Sequence, residues 1–136
     1  MLARSRLPPA LVVLFCLAGC GPPQAVKPGH YTLKATAACL KTINLKVAQG
    51  PNAVDFISAT APAGALRSSR DGKGFVIAFG NTEEDAIILV KGYRRVAKPR
   101  ARRRLHSLLD REGNAVIYWR TEPTAAQSEV VRSCLR

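Results

Sequence analysis

Apolar residues recur at helical spacing over 32–43, at Leu33, Ala37, Leu40 and Ile43. One side of that stretch is therefore buried, and a helix is predicted. Asn44 or the turn after it ends the helix, and 45–49 reads as a short strand. Gly50-Pro51-Asn52 is a turn. The stretch 54–59 suits a helical turn or a strand equally, and Pro62 and Gly64 then break the chain. Residues 65–69 and 75–79 flank Asp71-Gly72-Lys73-Gly74. The two glycines allow the positive φ of a tight turn, so a β-hairpin is predicted. Gly80 stops its second strand. Asn81-Thr82-Glu83-Glu84-Asp85 offers an N-cap and three acids for the positive end of a helix dipole. That helix runs to about residue 97, with Ala86, Leu89, Val90, Tyr93 and Val96 as its buried stripe, and Pro99 opposes its continuation. Residues 105–111 and 115–120 form a second hairpin around Glu112-Gly113-Asn114. In its second strand Ala115, Ile117 and Trp119 point one way, Val116 and Tyr118 the other. Pro123-Thr124-x-x-Gln127 has the form of a capping box. It opens a last helix with apolar Val130, Val131, Cys134 and Leu135.

This order of elements predicts an α+β fold, a mainly antiparallel sheet with helices packed on one face. Strand order does not follow from it. No internal repeat is present at a solenoid period.

Composition changes the picture in one respect. The chain has 136 residues and 47% apolar residues, enough for one folded domain and too many for a wholly disordered chain. It has 21 Lys+Arg against nine Asp+Glu, a net charge of +12. In a cytosolic protein that excess would point to nucleic acid. The amino terminus points elsewhere. Arg4 and Arg6 precede an apolar run over 7–18, interrupted by Pro8 and Pro9. Its unbroken part, 10–18, falls well short of the roughly twenty residues a bilayer-spanning helix needs. A charged start and a short apolar core describe a secretory signal.

The run ends in Leu17-Ala18-Gly19-Cys20. This resembles the lipobox of bacterial lipoproteins. The resemblance implies a diacylglyceryl group on the Cys20 thiol and cleavage before it. Cys20 would then anchor the protein to the lipid bilayer, on the outer face of the cell membrane or on the outer membrane. One acyl chain holds only marginally, and two or three hold stably. Gly21 carries no signal for retention at the inner membrane. The chain divides into a signal over 1–19, an anchor and Pro/Gly linker over 20–29 and one domain over 30–136. Removing the signal takes Arg4 and Arg6 with it, leaving 19 basic residues and nine acids, or +10.

Of four cysteines, Cys16 would leave with the signal and Cys20 would carry lipid. Cys39 and Cys134 remain in an oxidising compartment, where an even pair reads as a disulfide. It would join the first helix to the last and contribute about 4–5 kcal/mol in the chain-entropy view. A redox pair or a metal site is the alternative, with only His30 and His106 to assist.

No catalytic or cofactor signature is present. His106 and Asp110 fall four apart on a predicted strand, hence on one face, with Ser107 on the other; they read as exposed polar residues rather than a dyad. The strongest anomaly is a basic run of Lys91, Arg94, Arg95, Lys98, Arg100, Arg102, Arg103 and Arg104 with no acid among them. It is either a solvated surface or a contact for anionic lipid or cell-envelope polymer. Export takes nucleic acid out of reach as a partner. Trp119 reads as core rather than as the wall of a groove with Tyr118. The segment from Gly113 to Trp119, with Pro123 and the terminal Cys-Leu, resembles small secreted proteins and lipoproteins of high-GC bacteria. That resemblance implies a fold and no activity. The expectation is a membrane-anchored envelope lipoprotein with a non-enzymatic binding or structural domain and no cofactor. The alternatives are a small envelope hydrolase using His106 and Asp110, or an accessory solute-binding component of a transporter. The latter lacks a second lobe to close on a ligand.

Overall fold

The computed structural model describes residues 27–136. The expected signal, the lipobox-like Leu17-Ala18-Gly19-Cys20 and the first part of the expected linker lie outside the described residues. The elements are α1 (Leu33–Thr42), β1 (Ala48–Gln49), two 3-10 turns (Pro51–Ala53 and Ser58–Thr60), β2 (Ala65–Arg70), β3 (Lys73–Phe79), α2 (Glu83–Val96), α3 (Pro99–Arg102), α4 (Leu105–Leu108), β4 (Leu109–Glu112), β5 (Ala115–Trp119) and α5 (Ala125–Ser133). The five strands form one antiparallel sheet in the order β1-β2-β3-β5-β4, so the expected α+β class holds. The chain leaves β3, crosses through α2, α3 and α4, lays β4 on the edge, and returns with β5 between β3 and β4.

Local chemistry explains most boundaries. Thr32 caps α1 by accepting from the Ala35 N–H, and Asn44 at φ 62° takes the left-handed position after the helix. The first hairpin is tighter than expected: Asp71 and Gly72, both at positive φ, make a two-residue turn, and Lys73 and Gly74 join β3. Thr82 and Asp85 form a capping box at α2, with Glu83, Glu84 and Asp85 in its first turn. Thr124 and Gln127 do the same at α5, as the spacing predicts.

Three expectations are corrected. The strand expected over 105–111 is one helical turn followed by a strand. Leu105 and Leu108, three apart, are both buried, which is a helical and not an alternating period. The strand expected over 45–49 shrinks to Ala48–Gln49, while Leu45 and Val47 pack against the core without pairing. The helices cover both faces of the sheet, not one. Alternation along β3 and β5 sends Phe75, Ile77, Phe79, Ala115, Ile117 and Trp119 into a core with Ala37 and Leu40 of α1 and Val131 of α5. Val76, Ala78 and Val116 face the opposite way and meet Ala86, Leu89 and Tyr93 of α2. A sheet apolar on both sides needs a layer on each.

Cys39 and Cys134 form the disulfide, with Cα atoms 5.3 Å apart across a sequence separation of 95. The same junction is tied by backbone: Thr32 N–H donates to the Arg136 carbonyl at 2.6 Å, and Arg136 N–H to Thr36 Oγ1 at 3.2 Å. At the other end Asn114, 1% exposed, donates through Nδ2 to the carbonyls of Tyr31 and Gly80 (2.9 and 2.7 Å) and accepts from the Tyr31 N–H at 2.6 Å. Gly113 beside it, at φ 52°, passes so close to Gly29 that a Cβ would overlap the Gly29 carbonyl oxygen. Only glycine fits there.

Candidate functional site

The basic run occupies one stretch of surface. Lys91, Arg94 and Arg95 stand on the second half of α2, Lys98 caps α3, Arg100 and Arg102 are on α3, and Arg103 and Arg104 lead into α4. All eight are exposed, and none has an ion-pair partner among the described residues. Cations at the end of α2 are favoured by its dipole, and Arg102 also donates to the Ala97 carbonyl at 3.3 Å. That local benefit involves the helix end only. It does not account for Arg100, Arg103 and Arg104, which lie past it.

Apolar residues interleave with these cations. Ile87 and Ile88 are 40% and 63% exposed, and Val96 is 59% exposed. Lys91 follows Ile87 by four and Ile88 by three, so these side chains share the outer side of α2. Val96 was expected in the buried stripe. It stands at the last helical position, and no residue of α2 after Tyr93 is buried. The signal for Ile87 and Ile88 was present in the sequence as apolar residues left over once the stripe is assigned.

Between α2 and the α3–α4 segment runs a cleft of about 490 Å³. Ile87, Val90, Leu105 and Leu109 supply its apolar wall, and Lys91, Arg94, Arg102 and Arg111 its cationic border. Leu109 and Arg111 belong to this site and were not read from the sequence, because both were placed in a plain hairpin strand. Arg111 pairs with Glu83 at 3.5 Å.

His106 and Asp110 both border this cleft and also a smaller recess of about 260 Å³ beside Trp119. They do not sit on one strand face, since His106 is in α4 and Asp110 in β4. Each has another partner. His106 Nδ1 lies 2.8 Å from the Arg103 carbonyl, which only accepts, so Nδ1 carries the proton. Asp110 accepts from the Arg132 guanidinium, whose Nε is 2.7 Å away, and Glu112 stands 3.7 Å from the same guanidinium. The hydrogen bond to Asp110, with these carboxylates, holds Arg132 above its already high pKa. Ser107 Oγ donates to the Arg104 carbonyl at 3.0 Å. Trp119 is 1% exposed and packs on Phe75 at 4.8 Å, so it is core as expected.

A second polar cluster was missed in the sequence. Asp55 Oδ1 accepts from the N–H groups of Ile57 and Ser58, each at 3.0 Å. Its Oδ2 accepts from Tyr93 Oη at 2.7 Å. With the Tyr93 proton so used, Ser58 Oγ donates to Tyr93 Oη at 2.6 Å. Burial is the main cause that pushes the Tyr93 phenol well above its ordinary pKa. The cluster fastens the 54–59 stretch to α2. Ser58 is 1% exposed and out of reach of a substrate.

Among the described residues no helix is long and apolar enough to cross a membrane, and no group of three or more His, Cys, Asp or Glu could hold a metal ion. Comparison with protein-family models, curated proteins and solved structures finds no match to the chain.

Proposed function

We propose that this chain is a lipid-anchored protein of the bacterial cell envelope. Cys20 carries the acyl groups, and the α+β domain is a non-enzymatic binding module that lays its α2–α4 side on an anionic surface. The observation that carries the reading is the side itself: eight exposed cations, without an ion-pair partner among the described residues, interleaved with exposed Ile87, Ile88 and Val96. Apolar side chains beside lysines and arginines suit the boundary of a phospholipid headgroup layer. Each basic residue near such a surface contributes about 1 kcal/mol. The resemblance of Leu17-Ala18-Gly19-Cys20 to a lipobox supports a position next to a bilayer.

Two measurements test the halves separately. Metabolic labelling with an alkyne fatty acid is expected to mark the wild type and to leave Cys20→Ala unmarked. Equal signal from both would end the anchoring half. Co-sedimentation with phosphatidylglycerol vesicles is expected to fall steeply with salt and to fall again when Arg100, Arg102, Arg103 and Arg104 become Gln. Unchanged binding would end the surface half.

A further inference from the structure

We propose that the cleft between α2 and the α3–α4 segment binds a single-chain lipid anion, one acyl chain ending in a carboxylate or phosphate, drawn from the bilayer. The proposal deepens the anionic-surface reading and rests on it for the source of the ligand.

The chemistry is divided along the cleft. Ile87 and Val90 on one side and Leu105 and Leu109 on the other offer a wall that hydrocarbon would cover. Ile87 is 40% exposed on the first half of a helix, so a hydrocarbon chain seated here would take its apolar surface out of water. The volume of about 490 Å³ lies within the roughly 300–1,000 Å³ of small-ligand sites.

Charge decides the class of ligand. Lys91, Arg94 and Arg102 border the cleft with no ion-pair partner among the described residues. The one acid on the border, Asp110, is engaged by Arg132. A neutral hydrocarbon would leave three cations desolvated beside it. A chain ending in an anion would cover the apolar wall and pair the cations together, and arginine presents two parallel donors to a carboxylate or phosphate. A polyanion without a chain would use the border and leave the wall in water.

The test uses the full acylated protein in phosphatidylcholine nanodiscs and a photoactivatable diazirine analogue of palmitic acid. Labelled peptides are mapped by mass spectrometry. Saturable labelling is expected on α2 and on 105–111, displaced by lysophosphatidylglycerol and not by glycerol phosphate. The diazirine alcohol of equal length should label about tenfold less, the loss of one charge-assisted contact. Ile87→Asp should lower labelling by a similar factor, and so should Lys91→Glu with Arg94→Glu. Thermal unfolding of the same samples verifies that these exposed changes leave the fold intact.

Labelling that does not saturate, spreads over the surface, is equal for acid and alcohol, or is displaced by glycerol phosphate would overturn the proposal. So would labelling that Ile87→Asp leaves unchanged. Vesicle binding of Arg100→Gln, Arg103→Gln and Arg104→Gln, positions outside the cleft, separates the two readings. Labelling retained while vesicle binding is unaffected by these changes would fail the surface reading alone. Vesicle binding lost with them, and no saturable labelling in the wild type, would fail the cleft alone.

Discussion

The two faces of the sheet are built differently. The face under α1 and α5 buries the large side chains Phe75, Phe79, Trp119, Ile77, Ile117, Leu40 and Leu66, and is closed by a disulfide. At its edge one cation is paired, with Arg132 between Asp110 and Glu112. The face under α2 packs smaller groups, Ala65, Val76, Ala78, Ala86 and Val116. It is fastened by the hydrogen bonds of Asp55, Ser58 and Tyr93, and its outer surface carries unpaired cations and bare isoleucines. Large buried area and a covalent staple stabilise the first face. The second leaves apolar side chains and cations exposed where, beyond the local benefit at the end of α2, they add little to the fold. On the proposed function, stability and contact fall on opposite sides of one sheet.

That contrast can be broken most severely at the staple. Reduction, or Cys39→Ala with Cys134→Ala, is expected to cost about 4–5 kcal/mol through the freed loop. Urea unfolding of oxidised and reduced protein measures it. A loss under about 1 kcal/mol would show that α1 and α5 hold without the bridge. Next in size is Asn114, which ties the segment before α1 to both hairpins. Asn114→Ala strands three backbone groups and should cost about 2–4 kcal/mol in the same assay. An intact midpoint would mean that water replaces the amide.

The sequence carried the first face better than the second. The capping boxes, the α1 stripe, the β5 alternation and the cysteine pair rest on local spacing, and each is visible within a few residues. The Cys39 and Cys134 pairing was legible because removing two cysteines left one combination. What spacing does not carry is the partner of a given element. Alternation in β3 and β5 shows two apolar faces, yet nothing local says that α2 takes the opposite side from α1 and α5. The Asp55–Tyr93 bond joins residues 38 apart, and no short pattern announces it. At the site, the cations were plain. The cleft was not, because the 105–108 turn that forms one wall was read as a strand. A strand also puts Leu105 and Leu109 on one face, but nothing local turns that face toward α2.

The polar fastening of the second face predicts a smaller loss and a pH signature. Tyr93→Phe removes a donor to Asp55 and an acceptor for Ser58 and should cost about 1–2 kcal/mol. The phenol is raised above its unfolded value of about 10. Its contribution is thus fully present below pH 10 and is lost as pH rises further, because the unfolded chain releases that proton first. The unfolding free energy of the wild type should accordingly fall as pH rises above 10, which urea unfolding at several pH values measures. A stability that stays flat across this range would contradict the burial. The Tyr93→Phe variant should lose this alkaline step.

The smallest expected effect on stability sharpens the contrast most. Arg100, Arg102, Arg103 and Arg104 have no ion-pair partner, and three of the four lack even a side-chain hydrogen bond among the described residues. Changing all four to Gln should move the unfolding free energy by no more than about 0.5 kcal/mol. The sign should be stabilising at low salt, since like charges crowd one short stretch and screening removes their repulsion. A paired cation would respond oppositely: Arg132→Gln breaks the contact to Asp110 and leaves a half-buried carboxylate without its donor, a destabilisation. Thermal melts of both variants at two salt concentrations decide the matter. If the four-residue change destabilises as much as Arg132→Gln, the cations belong to the fold, and the division of labour between the two faces fails.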